Sequence, residues 1–413
     1  MNVELVTIGT ELLLGFTVDT NGAEIARALS AIGVRITRRT AVADEAGAIR
    51  QAVEDALRRT GAVLTTGGLG PTRDDISKKV VAELFESPLR FDESVWENLV
   101  ERFRRFGRAP AASNRSQAEV PVGATVLRNR WGTAPGLWLR GGPGLVIMLP
   151  GVPYEMRMLL EHEVVPRLAE SAGERVIRSR LVRTTAIPES TLAERLGEIE
   201  QDIAPLSLAY LPGIEGVDLR LSAWDLSPDD AERRLEAAAE LLRSRAGEHA
   251  YGQDDDDLAA LVLQAARERG YRLATAESCT GGLLGGRLTD IPGSSSVYLG
   301  GVICYANELK TTLLGVPTET IAAHGAVSEP VALAMAEGAL PRLGAGLAVS
   351  VTGIAGPEGG TEEKPVGTVW IGIADRMGSE ARRSVFGGAR HEIRARAAQA
   401  ALFLMLRRLR RSR

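Results

Sequence analysis

The chain is poor in several residue types, and each scarcity narrows what it can be. Among 413 residues there are only two cysteines, Cys279 and Cys304, and four histidines. Two thiols cannot build a disulfide framework and fit a reducing cytosol, so a cytoplasmic protein is expected. The histidines lie far apart, without the spacing of a structural zinc site. No uncharged apolar run approaches the roughly 18 residues of a membrane span, and no membrane is expected as a partner. The opening MNVELVTIGTE reads directly as a buried strand, not as a signal peptide. Lysine is scarce too: of 49 basic residues only Lys78, Lys79, Lys310 and Lys364 are lysines. Arginine keeps its charge, whereas lysine can lose its proton in a tuned site. All four fall inside or beside the motif-like stretches below, although chance would also place some there.

What is present is an ordinary globular composition, 45% hydrophobic and 25% charged, with a net charge of −4. That balance argues against bulk electrostatic binding to nucleic acid or anionic membrane. The length suggests two or three domains.

In residues 1–172, strand and helix patterns alternate. VELVTIGTEL reads as a strand, TNGAEIARALSAIG as an amphipathic helix capped at Gly33, and Val34 to Val42 as a second strand. GAIRQAVEDALRR is a second helix, and the apolar AVLTTGG runs into glycines, the mark of a buried parallel sheet. Residues 173–252 change to strand, helix, two strands and a long helix. There Gly213-Ile214-Glu215-Gly216 matches a KH-type GxxG, but it is acidic and lies between strands, which favours a hairpin turn. Asp254 to Asp257 reads as linker and helix cap. Residues 253–413 carry strands at YRLATAE, SVYLGGVICYA, GAGLAVSVTG and VGTVWIGIAD, with helices between them. The expected fold is α/β: two doubly wound or three-layer α/β domains joined by a small α+β (KH/ferredoxin-like) module.

In the third domain, Ala276-Glu277-Ser278-Cys279-Thr280-Gly281-Gly282 leaves a strand and opens a helix. Unpaired N–H groups of Thr280, Gly281 and Gly282 there would bind a phosphate or an oxyanion beside the Ser278 hydroxyl. A plain helix cap explains the same serine. Tyr305-Ala306-Asn307-Glu308-Leu309-Lys310 brings a phenol and an ammonium to another strand end. Serine with a desolvated lysine base is a nucleophile arrangement, and tyrosine can relay the proton. Thr352-Gly353-Ile354-Ala355-Gly356 begins a glycine-rich loop that lets backbone approach a nucleotide. Cys279 sits at the same helix start and is a rival nucleophile, but adjacent positions point in different directions.

AESCTGG, GVICYANELK, GAVSEP, TGIAGPEGG and KPVGTVWIG together resemble the carboxy-terminal domain of the CinA family (competence- and damage-inducible protein), over about 255–410. That domain is similar to bacterial nicotinamide-nucleotide amidase. The resemblance implies hydrolysis of nicotinamide mononucleotide to nicotinate mononucleotide and ammonia, with no cofactor for the amidase. It implies Ser278 as nucleophile, with Lys310 and Tyr305 activating it. Thr280, Gly281, Gly282, Ser295, Thr352 and Gly353 would hold the nucleotide, and Arg390 or Arg394 its phosphate.

In the first domain, the loop from Thr65 to Asp75 joins a buried strand to a helix, and Gly67 and Gly68 suit a phosphate. Asp74 and Asp75 suit a divalent cation (Mg, Mn or Co) bridging a pyrophosphate, or simply complement a helix start. Lys79, one turn on, could meet a phosphate. Glu11, Asn21 and Glu155 mark two further strand-to-helix loops at the same sheet edge, and Thr72 lies within the glycine loop. GTELLLG, DTN, TTGGLGPTRDD, SNRSQA and PGVPYEM resemble the amino-terminal CinA domain, similar to molybdopterin-binding proteins. That resemblance implies either a divalent-metal-dependent ADP-ribose pyrophosphatase or pterin-like binding. GGLG followed by Pro71, where molybdopterin-type proteins read GGTG, favours the first. Expected partners are pyridine nucleotides and ADP-ribose, and a second copy of the chain in a homodimer. Nucleic acid is not expected, although a non-catalytic role in competence or DNA repair is the alternative of a different class. Only the basic run Arg407 to Arg413 speaks for it, and arginines in a last helical turn usually compensate the dipole.

Overall fold

The computed structural model describes residues 1–170 and 176–411. Within them the chain divides into two compact units, Met1–Arg178 with Ala223–Arg234, and Ser179–Ser222 with Leu235–Arg413. The expected boundary at 172/173 lies outside the described residues, as do Ser412 and Arg413 of the basic run.

The first unit is built on strands β1 (Asn2–Ile8), β2 (Arg35–Val42), β3 (Ala62–Thr66), β4 (Leu89–Phe91), β5 (Glu119–Pro121), β6 (Thr125–Leu127), β7 (Gly136–Gly141) and β8 (Gly144–Leu149). Six of them form one sheet in the order β2-β1-β3-β8-β7-β6, and β4 and β5 pair separately. Strand alternation explains the layering. Leu5, Leu64 and Ile147 face the helix Thr20–Ala31 through Ile25 and Leu29, while Val6, Val63 and Met148 face the helix Ala46–Thr60 through Ile49 and Val53. The sheet is mixed where the sequence suggested a parallel one. β7 runs antiparallel to β8 because the two are joined by the short turn between Gly141 and Gly144.

The next strands are β9 (Val176–Thr184), β10 (Ser207–Pro212), β11 (Val217–Leu226) and β12 (Ala250–Gln253), in the order β10-β11-β9-β12. Gly213 to Gly216 turns the β10–β11 hairpin, closed by Gly213 N–H donating to the Gly216 carbonyl (2.8 Å). Glu215 in that turn pairs with Arg183 and Arg287 (both 3.2 Å), so the turn faces protein cations rather than a nucleic-acid backbone. Asp257 caps the helix Leu258–Arg269 by accepting from Ala259 and Ala260 N–H.

The last sheet comprises β13 (Leu273–Glu277), β14 (Tyr298–Ile303), β15 (Leu347–Gly353), β16 (Thr368–Asp375) and β17 (Gly378–Val385), in the order β14-β13-β15-β16-β17. Its first three strands are parallel and its last two antiparallel. β17 escaped the sequence reading because it is polar and largely exposed, without an apolar run. Val349, Val351 and Ile371 pack against the helix Arg390–Arg411, while Ala274, Ala276 and Ala348 pack against Val331 and Met335 of the helix Glu329–Leu343. The basic run is engaged internally. Arg407 pairs with Glu248 (2.5 Å), Arg408 with Asp375 (2.6 Å), and Arg410 donates to the Tyr251 carbonyl.

Both sheets share one feature that positions a site. The chain leaves β1 to one side for β2 and to the other for β3, and leaves β13 likewise for β14 and β15. A crevice opens at such a switch point, outside the carboxyl ends of the diverging strands. At the first, Gly67 has φ +108°, and a Cβ there would stand 2.1 Å from the Ile8 carbonyl oxygen. Gly67→Ala should therefore destabilise the protein by about 2 kcal/mol or more in urea unfolding. Gly47→Ala, in open space on a helix, should leave stability unchanged or raise it.

Candidate functional sites at two switch points

At the carboxy-terminal switch point the chain turns sharply at Ser278, whose N–H donates across to the Val351 carbonyl of β15 (2.9 Å). Beyond it Gly281 and Gly282 take φ +61° and +93° to enter the helix Leu283–Thr289. The N–H groups at this helix start are claimed by Glu277, which is 2% exposed and accepts from Gly282 (2.9 Å), Leu284 (3.1 Å) and Gly285 (2.8 Å). A cleft of about 270 Å³ lies over the corner, lined by Ser278, Tyr305, Asn307, Lys310, Thr352, Gly353, Glu358 and Arg390 among others. Lys310 is 1% exposed. Its ammonium donates to the Cys304 carbonyl (3.0 Å), the Tyr305 carbonyl (3.3 Å) and Asn307 Oδ1 (3.5 Å). Burial pushes its pKa down from the ordinary lysine value. The Tyr305 hydroxyl accepts from Arg390 Nη2 (2.9 Å), and Arg390 Nη1 donates to the Gly356 carbonyl (2.6 Å). Among the described residues no hydrogen bond joins Ser278 to Lys310 or Tyr305.

At the amino-terminal switch point, a crevice of about 110 Å³ is lined by Thr7, Ile8, Glu11, Asn21, Thr66 and Gly151 among others. Asn21 ties the three strand-end loops together. Its Nδ2 donates to Thr66 Oγ1 (3.0 Å) and to the Gly151 carbonyl (2.8 Å). On the neighbouring glycine loop, a Cβ on Gly68 would stand 1.9 Å from Ser77 Oγ, and that hydroxyl is fully buried without a partner.

Three family profiles match this chain. They are a probable molybdopterin binding domain at 4–170, the damage-inducible protein CinA KH domain at 179–252, and the CinA C-terminal domain at 255–409. A CinA-like protein of Gemmatimonas aurantiaca is 55% identical over 406 residues, covering 97% of this chain and 95% of the relative. The chain belongs to the CinA family. A putative competence-damage inducible protein of Symbiobacterium thermophilum is 44% identical over 98% of each chain. The crystal structure of a competence/damage inducible protein from Agrobacterium tumefaciens is 46% identical, covering 37% of this chain and 94% of that one, with a TM-score of 0.36.

For this CinA-family chain, the structure gathers some of the sequence-derived candidates and separates others. Ser278, Tyr305, Lys310, Thr352, Gly353 and Arg390 share one cleft. Arg394 does not line that cleft; its Nη2 donates to the Thr280 carbonyl (2.6 Å), beside Gly281. Thr280 itself is fully buried, with its hydroxyl unpartnered. The expected phosphate amides are partly used up: Gly282 N–H goes to Glu277, and Gly281 N–H to the Ser278 carbonyl (3.1 Å). Ser295 lies at the other end of the sheet. Leu273 pairs with Tyr298 and Glu277 with Ile303, so the turn before Tyr298 is a strand length, roughly 13 Å, from Ser278. Cys279 also borders the cleft but is packed into the core, and burial pushes its thiol up to about 12, which leaves it a poor nucleophile.

In the first unit, Lys79 is exposed and its neighbour Lys78 is the half-buried lysine. Lys78 Nζ donates to the Ser116 carbonyl (2.6 Å), and burial lowers its pKa to about 8 against the pull of Glu119 and Asp75. Asp75 accepts from Thr72 N–H (2.8 Å) and from its hydroxyl, and Asp74 is exposed. No group of three metal-binding side chains occurs among the described residues, so Asp74 and Asp75 do not form a ready-made metal cage. Glu155 accepts from Asn129 Nδ2 (2.6 Å) and packs against Gly132. Burial raises its pKa. The Glu11 carboxylate folds back over Gly9 at the crevice. Sequence reasoning missed Glu277, Ser77 and Lys78. The four-lysine scarcity flagged Lys78 without telling it from Lys79.

Two measurements follow from these burials. Glu277→Ala strips three N–H donors of their acceptor and should destabilise the protein by on the order of 3 kcal/mol in chemical unfolding. Lys78 has a folded pKa below its unfolded one, so the unfolded chain binds more protons between about pH 8 and 10.5. Stability should rise with pH across that window, and Lys78→Met should flatten the rise.

Proposed function

We propose that the carboxy-terminal domain hydrolyses the amide of nicotinamide mononucleotide, with Ser278 as nucleophile and Lys310 as its base. The observation that carries this reading is a serine at a switch-point corner sharing one cleft with a lysine that is 1% exposed. An ammonium without bulk water is easier to deprotonate, and a neutral amine has the lone pair a base needs. Its present hydrogen bonds to two carbonyls and Asn307 use the three donors of the charged form. Losing one proton leaves two donors and a lone pair for the Ser278 hydroxyl. Contacts of this kind commonly tighten only once substrate is bound.

The reaction then balances in two stages. Ser278 Oγ bonds to the amide carbon while its proton passes to Lys310. The C–N bond breaks, Lys310 returns the proton to the leaving nitrogen, and ammonia departs. Water attacks the resulting ester, again through Lys310, and frees nicotinate mononucleotide with Ser278 restored. Arg390, at the rim and bonded to Tyr305, is the cation available to the substrate phosphate.

For the amino-terminal domain we propose cleavage of the pyrophosphate of ADP-ribose at the β1/β3 switch point. Supporting it are the Gly67–Gly68 loop, the unpartnered buried Ser77 hydroxyl and the half-buried Lys78 beside it. Asp74 and Asp75 fit a divalent cation only with the substrate's phosphates completing its coordination, as hard cations of the magnesium type permit. Bound there, the cation would supply charge neutralisation of the phosphates. Pterin-like binding is the second reading, favoured by the profile match at 4–170.

Purified protein should release ammonia from nicotinamide mononucleotide, and Ser278→Ala should lower the rate at least about a thousandfold while leaving unfolding unchanged. Lys310→Arg should not restore what Lys310→Met loses, because arginine stays protonated. The pH at which activity rises should lie below the 10.5 of an ordinary lysine. Full rate in Ser278→Ala with loss in Cys279→Ala would reverse the nucleophile assignment. AMP release from ADP-ribose should need a divalent ion and collapse in Asp75→Ala; equal release with a chelator present would remove the metal from the account.

A further inference from the structure

The crevice between β1 and β3 is lined by Asn21, whose Oδ1 has no partner among the described residues. Asn21 is 8% exposed, and its neighbours fix which way its amide points. Thr66 gives its one hydroxyl hydrogen to the Pro150 carbonyl (2.9 Å), so it can only accept from Asn21. The Gly151 carbonyl can only accept as well. Both Nδ2 hydrogens are thereby used, and Oδ1 is the remaining atom. It is buried and has no partner among the described residues. Buried carbonyl oxygens are almost always paired, and an unpaired one bordering a cavity is a place for a donor from solvent or from a ligand.

The walls narrow the class of ligand. Ile8, Leu12, Val18 and Pro153 are apolar, and the charged lining residues are the acids Glu11 and Asp19. Asp19 is occupied with Gly22 N–H (2.8 Å) and Arg39 (2.8 Å), whereas Glu11 is exposed at the rim. Among the residues lining the crevice there is no cation, so a phosphate is disfavoured there and belongs at the glycine loop with Ser77 and Lys78. Thr7, Thr17 and Thr20 add hydroxyls to the lining, so a ligand here meets polar as well as apolar walls. A flat ring with an N–H donor at its edge fits both the apolar sides and the single buried acceptor. Phe16 and Val18, 83% and 80% exposed on the bordering loop, are apolar surface that such a ring would cover.

We propose that this crevice takes the amino-bearing edge of a nucleobase, with Asn21 Oδ1 accepting from its exocyclic amino group, so that the domain prefers adenine to hypoxanthine nucleotides. The inference rests on the reading of this domain as a nucleotide site. Hypoxanthine carries an oxygen where adenine carries the amine, and would set acceptor against acceptor.

The test is calorimetric titration of the full chain with AMP, IMP and ribose 5-phosphate, none of which contains a pyrophosphate to cleave. Excess nicotinate mononucleotide, which has no amide for the carboxy-terminal cleft to hydrolyse, is present throughout to occupy that cleft. AMP should bind at least about tenfold more tightly than IMP, and ribose 5-phosphate more weakly than AMP. Asn21→Leu, with its fold checked by circular dichroism, should bind AMP and IMP alike. Equal affinity for AMP and IMP in the unaltered protein would overturn the role of Asn21, and this comparison does not depend on the variant folding. Ribose 5-phosphate binding as tightly as AMP would place the base outside the crevice. Binding of none of the three would remove the nucleotide reading of the domain, and this inference with it, which separates that failure from a wrong base assignment.

Discussion

The carboxy-terminal site depends on one buried carboxylate. Glu277 ends β13 and, instead of facing water, accepts three backbone N–H groups from the helix that follows. A charged acceptor at a helix start is stabilised by the dipole and by the donors the helix cannot satisfy itself. The consequence is geometric. With Glu277 anchored inward and Ser278 N–H bonded to β15, the serine is held at the corner where β13 and β15 diverge. These backbone hydrogen bonds fix the chain on both sides of the Ser278 corner.

The same logic operates at the other end of the chain with different atoms. There the diverging strands are β1 and β3, and the tie across the crevice is an amide, Asn21, rather than a carboxylate. Two sheets with no evident sequence repeat thus present their candidate sites at equivalent topological positions. The crevices differ in charge: one is lined by Lys310, Arg390 and Glu358, the other by Glu11 and Asp19 with no cation.

Much of this could be read from residue order, and the parts that could not have physical causes. Glycines after an apolar strand announced both corners, because positive φ and close approach such as that at Gly67 need glycine. Glu277 was passed over because an acid within an apolar strand gives no sign of what it will face. Lys78 and Lys79 are adjacent on one helix, about 100° apart, and only the packing of Ser77, Val80 and Val81 decides which is half-buried. Ser295 stands apart from Ser278 because strand register, not spacing along the chain, determines the end of the sheet to which a turn belongs. Arg390 and Arg394 lie one turn apart, and only Arg390 lines the cleft, while Arg394 donates to the Thr280 carbonyl.

The central claim is that Ser278 becomes covalently acylated. Rapid acid quenching of the protein turning over nicotinamide mononucleotide, followed by mass spectrometry of its peptides, addresses that claim directly. The account predicts a nicotinate mononucleotide ester on the peptide containing Ser278 that is absent from Ser278→Ala. An adduct carried by Cys279, or sustained ammonia release with Ser278 replaced, would contradict it.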